Sequence, residues 1–182
     1  FPVFYVDDGA VAAGVTTFGQ DALGLHQYSV TPLYEFTQGE ALGSVIYEYN
    51  QRHRLLLDRR MSVKASTEKD DEDAVIDREV QRYTITDSVQ WVSTWRSLSL
   101  DTRFYWGLGG AIDREKLHDV NAPTMPIDNE RVLALVGGVD TRRPQWLSEG
   151  PSQGQQLRLF YEASDGLGGD YSGNVYRGDW RV

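Results

Sequence analysis

Apolar and polar residues alternate along most of this chain, and the alternation limits the folds open to it. In SLSLDTRFYWGLGGAIDR (97–114), apolar side chains recur at every second position from Leu98 to Ile112, with few exceptions. Because successive side chains of a strand point to opposite faces, this period of two predicts strands with one apolar and one polar face. Similar runs occur at 9–19, 27–36, 43–50, 54–66, 81–91, 131–139, 156–164 and 174–182. The sequence therefore predicts an all-β protein with about nine strands.

The length of these runs favours strands that cross a membrane. Membrane strands need about 9–11 residues, whereas strands of globular proteins have nearer 5–6. The mean hydropathy of −0.47 is low, yet 12% of the residues are aromatic. A transmembrane barrel combines these properties because only every second strand residue faces lipid. We predict an antiparallel up-and-down transmembrane β-barrel, with a soluble β-barrel or β-sandwich as the alternative.

The connections between the predicted strands differ in length. Short turns are predicted at 51–53 and around 93–96, and long polar loops at 67–77, 115–129 and 143–154. Short turns at one rim and long loops at the other are typical of outer-membrane barrels. Such barrels have even strand numbers. We therefore expect residues 1–182 to be a single barrel domain of about eight or nine strands, or a fragment of a larger barrel.

Composition excludes several other classes of protein. The chain has no cysteine, so thiolate metal sites and disulfides are excluded. Its net charge of −9 argues against a nucleic-acid surface. No apolar stretch is long enough for a transmembrane helix. We expect no cofactor and no nucleic-acid partner.

The glycine-rich stretch SDGLGGDYSG (164–173) has some likeness to a calcium loop. An EF-hand loop needs a bidentate glutamate at its twelfth position, and the count from Asp165 reaches Tyr176 instead. Calcium-binding glycine-rich repeats recur in series, but this stretch occurs once. The acidic run at 68–73 is more typical of a solvated loop than of a metal site. We predict a glycine-rich loop between two strands.

The alternation divides the strand residues into two candidate sets. One set is predicted to face lipid as an aromatic surface: Tyr28, Tyr34, Phe36, Tyr47, Tyr49, Phe104, Trp106, Tyr161, Tyr176 and Trp180. The other is predicted to form a charge network in a polar lumen, because unpaired charge facing lipid is costly. Its members are Asp58, Arg60, Arg82, Asp101, Arg103, Glu162, Arg177, Asp179 and Arg181.

Two further details of the pattern bear on these sets. Across the last hairpin we expect Glu162 to lie within pairing distance of Arg177 or Arg181. Arg59 and Asp87 interrupt the apolar side of their runs and have no predicted role.

Catalytic residues are not evident in the sequence. His26 and His53 lie near predicted short turns and His118 lies in a predicted long loop. No nucleophile and base with a third orienting group can be assigned. We therefore expect no enzymatic activity and keep an outer-membrane hydrolase as a second alternative.

Two segments carry a resemblance to a known group of proteins. TTFGQDALGLHQYSV (16–30) and GGDYSGNVYRGDWRV (168–182) resemble the barrel part of Gram-negative outer-membrane proteins that carry a TolB-like β-propeller ahead of the barrel. That group is distantly similar to the bacterial surface antigen family of assembly and secretion barrels. The matching residues are Gly19, Asp21, Leu23, Gly24, His26, Tyr28, Gly168, Gly169, Asp170, Gly173, Asp179, Trp180 and Arg181. In the assembly barrels an aromatic residue follows an Arg-Gly pair, whereas Asp179 follows Arg177-Gly178 here.

The resemblance implies a bacterial outer-membrane location and an antiparallel barrel. With the charge-lined lumen, it leads us to expect a role in transport, translocation or structural support of the outer membrane. We expect the lipid bilayer as partner, together with other barrel or periplasmic subunits or further segments of the same chain. The first alternative, a soluble β-barrel or β-sandwich, would instead bind a small ligand.

Overall fold

The computed structural model describes residues 1–7, 10–68, 78–97, 102–119, 125–144 and 151–182. All the regular structure in these ranges is β-structure, which confirms the predicted all-β class. No helix capable of spanning a membrane occurs within them. Alternating β-branched and aromatic residues fit a pleated strand well, which explains the absence of helix in these segments.

Thirteen strands are present in the described ranges. They are β1 (Pro2–Asp7), β2 (Ala10–Val15), β3 (Thr17–Gln20), β4 (His26–Glu35), β5 (Glu40–Tyr49), β6 (His53–Glu68), β7 (Arg78–Ser97), β8 (Thr102–Asp119), β9 (Met125–Asp140), β10 (Arg143–Pro144), β11 (Pro151–Gln153), β12 (Gln156–Ala163) and β13 (Asn174–Arg181).

Eleven of these strands form one antiparallel sheet, and β10 and β11 form a separate two-stranded ribbon. The order β1-β2-β4-β5-β6-β7-β8-β9-β12-β13, with β3 also paired to β4, is a meander of sequential neighbours. The predicted number of about nine was therefore too low. The sheet is not closed into a barrel, because β1 and β13 are its two edges.

Several predicted boundaries were wrong because the strands continue through polar sequence. Residues 93–96 belong to β7 rather than to a turn, since their backbone stays paired with β8. The predicted loop at 115–129 contains the end of β8 and the start of β9, and 143–154 contains the ribbon. The predicted turn near 51–53 is present, with positive φ at Asn50 and Gln51. Most of 67–77 lies outside the described residues.

Strands β2 and β3 share one register on β4 and are separated only by Thr16. Continuing that register places Val15 opposite Pro32. Proline has no backbone N–H, so the ladder is interrupted there. The Thr16 hydroxyl instead lies 2.9 Å from the Thr31 hydroxyl. The predicted strand 9–19 is thus one strand with a break opposite a proline.

Close backbone approaches at neighbouring positions bend the sheet. A Cβ atom on Gly14 would lie 2.0 Å from the Pro32 carbonyl oxygen, and one on Gly43 would lie 2.0 Å from that of Thr31. Gly43 also has a φ of 133°. Pairing of β5 with β6 ends at the pair Gly43–Arg59. Residues 33–42, which we call the hairpin tip, therefore separate from β6 at this bend.

The hairpin tip folds over the adjoining long strands and encloses a small core. Leu42 packs with Ala10 and with four residues of β6 and β7, and Leu33 packs against this group. The four are Met61, Val63, Tyr83 and Ile85. Each is at most 4% exposed. Burial of these side chains holds the tip in place, since a buried Leu-sized side chain contributes about 1.5–3 kcal/mol.

Replacing Gly43 with alanine is expected to destabilise the protein. The φ of 133° and the approach of Thr31 O leave no room for a Cβ atom. Backbone strain of this kind costs about 1–3 kcal/mol. Gly137→Ala is the matched control, because its Cβ would meet nothing closer than Tyr105 O at 3.9 Å. Urea titrations followed by tryptophan fluorescence should show a clear loss for Gly43→Ala only; equal losses in both variants would contradict the bend.

Candidate functional site

The strand register places the side chains on two faces of opposite character. Paired residues share a face, so Leu55, Trp91, Leu108, Leu135 and Tyr161 form one row across the sheet. We call this side the apolar face. The other side, the polar face, carries the residues between them along each strand.

The apolar residues are the more exposed of the two sets in the middle of the sheet. On β8, Phe104, Trp106 and Leu108 are 43%, 39% and 45% exposed, whereas Gly107 between them is buried. The chain exposes 13028 Å² of surface. A compact monomer of its mass exposes about 8900 Å². The sheet is thus a single layer whose apolar face is covered by the described chain only at the hairpin tip.

Aromatic side chains form a continuous row along one border of the apolar face. Trp106 lies between two tryptophans, with its ring centroid 5.1 Å from that of Trp91 and 6.3 Å from that of Trp95. His53 contacts both of these tryptophans and stacks on Tyr49. His26 and Tyr47 extend the row, with 2.6 Å between His26 Nδ1 and the Tyr47 hydroxyl.

Charged side chains form the opposite border of the apolar face. Glu40, on the hairpin tip, accepts hydrogen bonds from Arg59 Nη2 at 2.8 Å and from Lys116 Nζ at 3.2 Å. Asp87 accepts one from Arg114 and lies 3.7 Å from Arg59 Nε. The two residues that interrupted the sequence alternation, Arg59 and Asp87, are direct cross-strand partners. Both residues interrupt the apolar alternation of their strands in the sequence. That common feature was the available signal for the charged network, and sequence reasoning did not use it.

The predicted lipid-facing aromatics that belong to strands all lie on the apolar side of the register, in β4, β5, β8, β12 and β13. Phe36 lies in the turn after β4 and has no partner in the register. Tyr176 and Trp180 are the most exposed, at 76% and 68%. Tyr161 is half-buried because its ring lies 4.9 Å from that of Tyr176. Tyr34 and Phe36 both lie in the hairpin tip and contact each other edge to face.

The predicted lumen charges lie on the polar face where the structure describes them, and Asp101 falls outside the described residues. Arg158 and Asp179 are direct partners across the last hairpin. Arg82 forms an ion pair with Glu115, at 3.3 Å. The set is thus assembled on one face, but its described members do not form the continuous ion-pair network that we expected.

Glu162 and Arg177 share the polar face in adjacent rows. Glu162 pairs directly with Val175, and Arg177 pairs with Phe160. Glu162 is therefore diagonal to Arg177, within reach of long side chains. No described atom of Arg177 or Arg181 lies within 4.0 Å of the Glu162 carboxylate. The residues are neighbours on one face without an ion pair.

One histidine has a serine partner that the sequence did not indicate. His53 pairs directly with Ser93, and its Nδ1 lies 2.8 Å from the Ser93 hydroxyl. Ser93 is only 1% exposed beneath the aromatic row. No carboxylate orients His53 among the described residues. The contact fixes the His53 ring within the row, and the geometry lacks the third group of a catalytic triad.

The glycine-rich loop after β12 completes the edge of β9. The Asp170 N–H donates to Asn129 O at 2.7 Å, and the Asp170 carboxylate accepts from Asn129 N at 2.6 Å. Asp165 accepts from the Asn174 side chain at 3.1 Å. No cluster of three metal-ligating residues occurs in the described ranges. Both aspartates thus have structural partners.

Glu35 is a charged residue buried at the end of β4, outside the exposed part of the apolar face. Its carboxylate accepts hydrogen bonds from Gln38 N at 2.6 Å and Thr37 N at 2.7 Å. Burial raises the pKa of Glu35, but the bonds from Gln38 and Thr37, with a contribution from the Val11 backbone, lower it more. The carboxylate is therefore the form that the folded protein stabilises.

Comparison with known proteins adds no relative. No protein-family model matches the chain, and no curated protein or solved structure shows significant similarity to it. The functional argument therefore depends on the geometry of the sheet.

Acid is expected to weaken the hairpin tip through Glu35. Its folded pKa lies below the ordinary value of 4.5, so its stabilising effect is complete above that value and is lost as the pH falls below it. Glu35→Gln should lower the unfolding free energy at pH 7 by about 1–3 kcal/mol, because the amide oxygen accepts from only one of the two N–H groups and the other loses its acceptor. Unfolding titrations from pH 7 to pH 3 should show a shallower decline for the variant. Identical slopes would contradict this role.

Proposed function

We propose that this chain is part of the wall of a bacterial outer-membrane β-barrel. Its apolar face lies against lipid and its polar face lines the lumen. The barrel serves transport or translocation across the outer membrane, or its structural support. The observation that carries the proposal is the exposed apolar face of a single-layer sheet, with the intervening small and polar residues on the less exposed side of β8.

A soluble sheet needs protein on its apolar face, because domains bury such faces between packed layers. Here the described residues supply that cover only at the hairpin tip. Exposed positions elsewhere include Leu133 at 55%, Leu135 at 54% and Leu159 at 58%. A contiguous apolar surface of this kind marks a membrane or protein interface. The exposed apolar surface continues across successive neighbouring strands, and the acyl region of a bilayer covers a surface of that extent.

The dimensions and borders of the face support the same proposal. The apolar belt runs on β8 from Phe104 to Ile112, whose row contains Asp87 and Arg131 and marks the charged border, and it is about 27 Å long at about 3.4 Å per residue. Strands tilted by about 40° reduce this to about 20 Å, close to the roughly 25 Å band of outer-membrane barrels. The aromatic row at one border corresponds to the aromatic girdle of such barrels.

The two open edges support a larger barrel. Unpaired backbone N–H and C=O groups at a sheet edge are costly in lipid, so membrane strands occur in closed barrels. We propose that strands from the same polypeptide or from another subunit pair with β1 and β13. This agrees with the resemblance of residues 16–30 and 168–182 to outer-membrane barrels.

A charge placed on the apolar face should prevent insertion, whereas the same charge one residue away should be tolerated. Leu135→Arg lies mid-belt, where arginine costs about 2–4 kcal/mol. Ala134→Arg is the matched control, because Ala134 is on the polar face opposite Glu162. Folding into phosphatidylcholine vesicles should fail or weaken for Leu135→Arg only. Equal tolerance of both would contradict the proposed lipid face.

Solubility separates the proposal from the soluble ligand-binding alternative. We expect the purified chain to be monodisperse only with detergent or lipid, because the exposed apolar face associates in water. Size-exclusion chromatography with and without detergent measures this. A monodisperse, folded monomer in plain buffer would reject the membrane proposal.

The contact between His53 and Ser93 gives the hydrolase alternative its own test, since Ser93→Ala would abolish any ester hydrolysis that depends on it.

A further inference from the structure

A groove of about 720 Å³ lies on the apolar face beside the hairpin tip. It runs across the strands from β4 to β9 between two rows of the register. Most of the accessible wall surface is apolar and includes Val30, Val45, Leu57, Val89, Ile112 and Leu133, while Arg59, Asp87 and Arg131 line the side next to the charged border. This volume lies within the range of small-molecule sites.

The groove is open because glycines occupy two of the positions between its walls. Gly110 lies between Val89 and Leu133 in one row, and Gly43 lies beside Arg59 in the next. The absence of side chains at these positions leaves a trough across the strands. Leu167 of the glycine-rich loop covers the end of the groove at β9.

One arginine at that end has no acidic partner among the described residues. Arg131 lines the groove, and its Nη1 donates to the Leu167 carbonyl oxygen at 3.0 Å. Its Nε is buried, and no acceptor for it occurs in the part of the chain that the structure describes. Within the described chain, no carboxylate lies within 4.0 Å of this guanidinium. Arg59, at the other side, differs because Glu40 and Asp87 both balance its charge.

We infer that this groove binds one anionic lipid of the surrounding bilayer. The lipid phosphate pairs with Arg131, and an acyl chain lies along the groove toward Val45 and Val30. The inference rests on the proposed function, because the membrane supplies the lipid.

The chemistry of the groove selects this ligand. A guanidinium without a carboxylate partner binds a phosphate through charge-assisted bonds, often in pairs. The phosphate balances the charge of Arg131, which an uncharged apolar ligand leaves without a counter-charge among the described residues. The apolar walls favour a hydrocarbon chain, and the position at the charged border of the belt suits a lipid headgroup. A zwitterionic lipid offers the same phosphate with a cation attached, so its binding should be weaker.

The test measures binding of lysophosphatidic acid to the protein in non-ionic detergent micelles by titration calorimetry. Lysophosphatidylcholine and inorganic phosphate are the comparison probes. We expect saturable binding of one lysophosphatidic acid per chain and weaker binding of both comparison probes. Arg131→Gln should lower the affinity tenfold or more, since a hydrogen bond to a charged group is lost. Arg158→Gln, on the polar face, should leave the affinity unchanged.

Val89→Trp tests the groove with Arg131 intact, and should also abolish binding by filling the trough. Circular dichroism shows whether each variant is folded. Unchanged binding in both folded variants would overturn the inference, as would equal losses in Arg158→Gln. Binding of inorganic phosphate as tight as that of the lipid would assign a simple anion site instead. Failure of the membrane proposal is seen separately, because it appears as monodisperse protein without detergent.

Discussion

The structure depends on one constraint: an eleven-stranded sheet forms a single layer and exposes its apolar face. In water such a face drives association, because burial contributes about 25 cal/mol per Å². Backbone pairing between sequential strands supplies the internal order, and the buried hydrophobic core of the described residues lies at the hairpin tip. The proposed bilayer environment removes this conflict, since lipid provides the missing apolar layer.

Sequence reasoning was most successful where local rules act alone. The period of two predicted the all-β class, and it assigned Trp106 and Arg103 to different faces because adjacent strand residues always diverge. Strand ends were predicted less well. Residues 115–119 are polar but continue β8, because pairing with β7 does not require apolar side chains. The alternation of apolar and polar residues gives no information on which backbone segments pair with each other.

Sequence could not have predicted the bend or the features that depend on it. Gly43, Gly14 and Pro32 are distant along the chain, and their proximity exists only in the folded register. The same applies to Glu40, which reaches Lys116 across 76 residues. The exception is Arg59 with Asp87, whose two breaks in the alternation could have indicated a pair but were not compared with each other in the sequence analysis. Charges on an apolar side therefore deserve to be compared across predicted strands before they are treated as irregularities.

The glycine-rich loop has a consequence for how this sheet associates with other chains. Beyond the pair Leu133–Ala163, β9 has no strand partner on the β12 side among the described residues, and such an edge is a template for unwanted pairing. Asp170 bonds both backbone groups of Asn129: its N–H donates to the Asn129 carbonyl oxygen, and its carboxylate accepts from the Asn129 N–H, as a paired strand would do. The loop therefore satisfies backbone groups at which a foreign strand could otherwise pair. In the proposed barrel, further strands then pair at β1 and β13, the two edges of the sheet.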